Sequence, residues 1–314
     1  MRLVTFSTGS GPRRLGVALP GARVLDLSAA GRGNPALQSM LNLIDGGSEA
    51  LAEARDLEAR ALRGDQALTP HLRPLQEVRV HAPIPRPRKN VICVGLNYRS
   101  HVEQNARALG MKFELPQIPL FFSKPVTAVV GPEEPIIHDE RLTQKLDYEV
   151  ELGVIIGRRG SWIPEKHAAD YVFGYTLAND VSARDLQFRT SQFFIGKGLD
   201  SYCPVGPAIV DRESLSDPGK IELQLRVNGE IRQRESAGHM LFPIPAIIAE
   251  VSKGMTLEPG DIISTGTPDG CGYQLVPPKF LRPGDVIECR AEPIGVLSNP
   301  VRAAVVAAPV EGER

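Results

Sequence analysis

Apolar positions in this chain fall mostly in short runs with a period of two, the repeat of a strand; only three stretches keep a helical spacing. Residues 3–6 and 15–19 predict two strands around the turn-rich Thr8-Gly-Ser-Gly-Pro12. Leu51, Ala54, Leu57 and Ala61 share one face of a helix predicted over 48–62. Pro70, Pro74, Pro83, Pro85 and Pro87 then predict an extended linker, because proline fixes φ and donates no backbone hydrogen bond. Beyond it, residues 91–95 read as a buried strand and 100–109 as a helix. Residues 146–157 alternate and then turn continuously apolar, as in a strand entering a core, and 171–178 read as another strand.

Asn228-Gly229 stands between alternating residues in 221–233, the strongest short hairpin signal. Residues 243–253 predict an amphipathic helix stopped by Gly254. Two matching turns, Glu258-Pro-Gly-Asp261 and Arg282-Pro-Gly-Asp285, each precede an apolar strand. The pattern predicts an α+β fold that is mostly β, without solenoid repeats. It divides into a small N-terminal α+β unit (1–73, a cap or dimerisation element), a Pro-rich linker (74–90) and a main domain (91–314).

Composition narrows the function. Thirty glycines and 27 prolines fit a turn-rich protein of short strands. The net charge of -1, with signs mixed along the chain, gives no broad surface for nucleic acid or an anionic membrane. No signal-peptide pattern or membrane-length apolar run is present, so a soluble, cytoplasmic protein is expected. Cys93, Cys203, Cys271 and Cys289 are widely spaced and read as buried free thiols.

The chemistry lies in the best strand. Glu149 and Glu151 alternate with apolar residues, so they share one face roughly 7 Å apart. Two buried like charges repel, and a divalent cation between them removes the conflict; an exposed polar sheet face is the other reading. Asp180 ends the next strand and can complete a set of three oxygens that leaves open positions on a magnesium-type ion. It can equally be a turn residue, and Arg184 a salt-bridge partner. No grouping of His and Cys suits zinc.

Gly95-Leu-Asn-Tyr-Arg-Ser-His101, Lys124-Pro125, Asp147-Tyr-Glu-Val-Glu-Leu152, Asn179-Asp-Val-Ser-Ala-Arg-Asp-Leu-Gln187, Gly196-Lys197 and Thr265-Gly-Thr-Pro268 together resemble the fumarylacetoacetate hydrolase family, in the family's order. The resemblance implies a rolled mixed β-sheet, a homodimer and Mg²⁺ or Mn²⁺ on Glu149, Glu151 and Asp180. It implies substrate contacts from Arg184, Gln187, Lys197 and Thr267, and a general base, His101, on a lid segment. Two departures stand out. Gln104 occupies the position where many members carry a Glu beside the histidine, while Glu103 faces elsewhere; Gln104 can orient the imidazole but not stabilise an imidazolium by charge, and with His101 and Lys197 it completes the expected catalytic set. Gly198 replaces a frequent Ser, and Ser201 is a possible substitute.

A metal-held α-keto acid makes its keto group an electron sink. Three reactions use that sink: C–C hydrolysis of an acylpyruvate or fumarylpyruvate type β-diketo acid, decarboxylation of oxaloacetate, and a keto–enol or double-bond shift. His101 ranks hydrolysis first; Gln104 keeps oxaloacetate decarboxylase a close alternative. A non-enzymatic relative is disfavoured by the intact site motifs.

Overall fold

Every residue of the strand Val150–Ile156 is buried. It lies inside a 12-stranded open sheet in the computed structural model, which describes residues 1–215 and 217–305. Val150–Ile156 pairs antiparallel with Val172–Asn179 on one side and with Ile262–Ser264 on the other. Ile262–Ser264 in turn runs parallel to Val91–Gly95, so the sheet is mixed. Leu120–Lys124 closes that end, next to Val91–Gly95. A second sheet of five strands carries the predicted hairpin, Glu222–Val227 with Glu230–Ser236. Asn228 and Gly229 both take positive φ there, as a type I′ turn requires.

Alternation along Val150–Ile156 sorts its side chains. Val150, Leu152, Val154 and Ile156 pack with Leu223, Leu225, Ile287 and Leu297 of the second sheet. Ile155 joins a different cluster, with Leu43 and Leu57 from the N-terminal helices. The fold is α+β and mostly strands, as the pattern predicts, and neither sheet closes into a barrel.

Several elements sit where the sequence places them. Helices occupy Gly47–Leu62, Arg99–Leu109 and Ile244–Val251. In the two matching turns Asp261 and Asp285 each accept a backbone N–H three residues upstream, from Glu258 at 2.9 Å and Arg282 at 2.8 Å. The strand expected over 146–157 forms as two pieces, Leu146–Asp147 and Val150–Ile156. The ladder breaks at Glu149 because the Asn179 side chain, not a backbone carbonyl, accepts its N–H at 3.0 Å.

The N-terminal strands extend the main sheet: Arg2–Ser7 hydrogen-bonds Cys203–Asp211 on one side and Arg14–Leu19 on the other. The Pro-rich stretch pairs through Arg79–His81 with the same N-terminal strand and buries Ala82 and Ile84. Among the described residues, no helix is long and apolar enough to cross a membrane. All four cysteines are free and buried.

Candidate metal and active site

Three buried carboxylates converge beside the break in that strand. Glu149, Glu151 and Asp180 each offer an oxygen within 4.8 Å of the other two. Backbone pairing sets this up: Val150 faces Asn179 and Glu151 faces Ala178, while the Asp180 N–H reaches the Glu149 carbonyl at 2.9 Å.

Each carboxylate is held differently. Glu149 accepts from Arg184 Nη2 at 2.6 Å and from Lys197 Nζ at 2.8 Å. Burial opposes its ionisation, but Lys197 and Arg184 hold its carboxyl well below the usual carboxylate range. Asp180 lies between Lys124 at 2.5 Å and Lys197 at 2.7 Å. Among the described residues, Glu151 has no salt-bridge partner. Its Oε2 accepts from Ser264 Oγ at 2.5 Å and from Gly266 N at 3.0 Å. Gly266 is required there: its φ is +98°, and an added Cβ would stand 2.7 Å from the Asn97 Cβ. Burial, then the neighbouring Asp180 and Glu149, push the Glu151 carboxyl up to about 8.

This donor set fits a divalent cation. Asp147, Glu149, Glu151 and Asp180 face Lys124, Arg184 and Lys197, all buried, so with all four carboxyls ionised one negative charge is in excess, and it is this charge that burial keeps off Glu151 until a cation is bound. A doubly charged ion would turn that excess into one positive charge, suited to an anionic substrate. Hard carboxylate oxygens match magnesium or manganese rather than zinc.

The other expected residues gather around the same point. His101, Arg184, Gln187, Lys197 and Thr267 all line one cavity of about 70 Å³ with Glu149 and Glu151. Arg184 is anchored on all three nitrogens, by Asp147 at 2.9 Å, Glu149, and Gln187 Oε1 at 2.9 Å. Its guanidinium lies 4.2 Å over the Tyr273 ring. The Thr267 hydroxyl donates to the Val150 carbonyl at 2.9 Å and accepts from Gln233 at 2.9 Å. Phe122 and Phe193, edge to face at 5.7 Å, form the aromatic wall.

Two details differ from the sequence reading. Gln104 makes no bond to His101. Its amide instead donates to Asp269 at 2.9 Å and accepts from Gly270 N at 3.2 Å, stitching the helix Arg99–Leu109 to the following Pro268–Gly270 turn. Ser201 does not replace the missing hydroxyl at 198, because its Oγ accepts the Ile137 N–H at 2.8 Å. Position 198 is itself crowded: a Cβ there would come within 2.7 Å of the Phe194 carbonyl oxygen. Glu103 does face elsewhere, paired with Arg99 at 2.9 Å.

Motif reading left Asp147, Lys124, Cys271, Tyr273 and Gln274 without roles. Asp147 accepts backbone N–H groups of Gly272 at 2.7 Å and Tyr273 at 3.1 Å as well as Arg184, and so ties the 271–274 loop to the site. The first two lie inside quoted motifs, Asp147-Tyr-Glu and Lys124-Pro125, but the loop carries no spacing signal.

The model of the fumarylacetoacetate (FAA) hydrolase C-terminal family matches residues 90–302. The chain belongs to that family. It is 44% identical over 302 residues to the oxaloacetate tautomerase YisK of Bacillus subtilis (strain 168), covering 94% of this chain and 99% of the relative. A solved fumarylacetoacetate hydrolase from Exiguobacterium antarcticum superposes with a TM-score of 0.76 at 39% identity, over 97% of this chain and 100% of that one. Maleylpyruvate hydrolase from Sphingobium sp. SYK-6, solved with manganese(II) and pyruvate, gives a TM-score of 0.75 at 30% identity, with the same coverage. Family members thus include tautomerases and hydrolases, so membership gives an enzyme family without fixing the reaction.

Proposed function

We propose that this protein is a divalent-metal-dependent tautomerase that interconverts the keto and enol forms of oxaloacetate. The observation that carries the reading is the setting of His101. It is buried, and its Nδ1 faces the Gln274 amide nitrogen at 3.2 Å and the Cys271 thiol at 3.8 Å. Among the described residues, no carboxylate hydrogen-bonds the ring to stabilise an imidazolium, as activation of water for C–C cleavage would require. A keto–enol shift moves one proton from C3 to the C2 oxygen and needs no water. The 70 Å³ cavity favours a small acid, and the near full-length likeness to a named oxaloacetate tautomerase supports the same choice.

In this reading Glu149, Glu151 and Asp180 hold Mg²⁺ or Mn²⁺, which supplies positive charge for an enolate oxygen. Lys197 and Arg184 set a cationic wall for the substrate's carboxylates, and Gln187 fixes the Arg184 fork. Thr267 shapes the floor, and His101 handles the proton. Family resemblance makes a homodimer part of the reading, and cytoplasmic residence belongs to it as well.

The test is a substrate panel with Mg²⁺, with Mn²⁺ and with chelator: oxaloacetate followed by its enol absorbance, against acetylpyruvate and fumarylpyruvate. Metal-dependent acceleration of oxaloacetate tautomerisation is expected. Cleavage of an acylpyruvate without tautomerisation would establish hydrolysis, and loss of CO₂ ahead of enol equilibration would establish decarboxylation. Hydrolysis stays the second reading because a solved neighbour is named maleylpyruvate hydrolase.

A further inference from the structure

Gln274 sits in a loop that cannot drift. Its neighbours Gly272 and Tyr273 give their N–H groups to the buried Asp147, and the Tyr273 hydroxyl donates to Asn105 at 2.9 Å, one turn beyond His101 on the same helix. The orientation of the Gln274 amide is set without reference to the imidazole. Its oxygen accepts the Cys271 backbone N–H at 3.2 Å, which only an acceptor can satisfy. Its nitrogen lies 3.3 Å from the His101 carbonyl, which only a donor can satisfy. The same nitrogen is 3.2 Å from His101 Nδ1 and 3.2 Å from the Tyr273 hydroxyl, so its two protons are shared among three acceptors. The Cys271 thiol, 3.8 Å from Nδ1 and 3.9 Å from Glu149 Oε1, can donate or accept and does not set the tautomer.

We infer that Gln274 is a positioning residue that locks His101 in the tautomer with its proton on Nε2. Nδ1 faces the Gln274 amide as an acceptor, so the ring offers the cavity an N–H rather than a lone pair. Resting on the tautomerase reading, His101 then presents a hydrogen-bond donor to the C2 oxygen, and its ring is not the base that removes the C3 proton. The sequence expectation of a general base at this position is reversed in role, because the amide at 274 fixes which nitrogen is protonated.

The test is long-range ¹H–¹⁵N correlation NMR on ¹⁵N-histidine-labelled, Mg²⁺-replete protein, with His101→Gln identifying the His101 signals among six histidines. Wild type should show a pyridine-like Nδ1 and a pyrrole-like Nε2; protonation at Nδ1 overturns the inference. Gln274→Glu, which sets an acceptor where the donor was, should move the proton to Nδ1. If that variant does not fold, Gln274→Met should leave the two tautomers mixed. An unchanged Nε2–H tautomer in whichever variant folds overturns the role of Gln274. The spectra do not depend on turnover. An inactive protein with the Nε2–H tautomer would therefore sink the tautomerase reading and leave the positioning role standing.

Discussion

The ammonium of Lys124, a side chain with no solvent exposure, lies 2.5 Å from Asp180 Oδ1. It also donates to the carbonyls of Val181, at 2.9 Å, and Lys197, so all three of its protons are used. Lys124 thus fixes the carboxylate that ends the strand Val172–Asn179 and leaves Oδ2 facing Lys197 and the cluster. Leaving a buried charge wholly unpaired costs about 3–5 kcal/mol; Asp180 would keep Lys197 at 2.7 Å, so the loss here should be smaller than that. Lys124→Met should therefore lower the thermal midpoint in the metal-free protein. Added Mg²⁺ should recover part of the loss, since it neutralises Asp180 from the other side. Thermal melts with and without metal measure both effects, and an unchanged midpoint would show that Lys124 is not a structural counter-ion.

Glu151 is the carboxylate with no salt bridge among the described residues, so it should be the one whose charge the metal needs most. Glu151→Gln keeps an oxygen for Ser264 and Gly266 while deleting the negative charge. The metal-free variant should match wild type in stability below about pH 4.5, where the Glu151 carboxyl is protonated folded or unfolded, and exceed it increasingly as pH rises to about 8, because wild-type Glu151 must take up a proton to be buried beside Asp180 and Glu149. Its metal affinity should fall by no less than the roughly 10–100-fold that loss of an outer-shell partner costs. Calorimetric titration with Mn²⁺ decides this; equal affinity in variant and wild type would remove Glu151 from the site.

Burial pulls the His101 imidazole down to about 4 from its ordinary value of 6.5, with Glu149 opposing and Arg184 and Lys197 assisting. The sign follows from linkage. Between these two values the unfolded chain binds the proton and the folded chain does not, so stability rises with pH across that window. As pH falls from about 6.5 to about 4, the protein should lose stability through this residue. His101→Gln, which cannot titrate, should flatten that part of the profile without changing the slope above pH 7. Denaturant midpoints at closely spaced pH values measure it, and parallel profiles for the two proteins would show that His101 is not buried neutral.

Legibility in the sequence followed the kind of force at work. The Asn228-Gly229 hairpin, the two Pro-Gly-Asp turns and the helix of Leu51, Ala54, Leu57 and Ala61 are local solutions, so local pattern sufficed. The meeting of Glu149, Glu151 and Asp180 was readable because one antiparallel pair of strands carries all three. What escaped was the long-range support. Arg2 pairs with Val210, and Gln274 reaches His101 across 173 positions. Neither contact has a period, a cap or a spacing that marks it. Helical periodicity correctly turned Glu103 away from the site, but it could not say what Gln104 would meet, because that partner lies on a loop far along the chain.

That partner reverses a mutational expectation. Spacing along the helix makes Gln104→Glu look like a way to give His101 a charged partner and strengthen water activation. In the fold, residue 104 points to the Pro268–Gly270 turn instead, its amide nitrogen 2.9 Å from the Asp269 carboxylate and its oxygen 3.2 Å from the Gly270 N–H. A glutamate would keep the second bond and set two carboxylates against each other at the first. It should loosen the join between the helix Arg99–Leu109 and that turn, whose neighbours Thr267 and Cys271 border the site. The expected result is a lower thermal midpoint, a higher KM as the helix is held less firmly, and no gain in acylpyruvate cleavage. Gln104→Glu combined with Asp269→Asn restores a donor opposite the new carboxylate and should recover both stability and KM. A rise in hydrolytic kcat with the single substitution would mean that residue 104 reaches His101 during turnover, and the hydrolase reading would then displace the tautomerase.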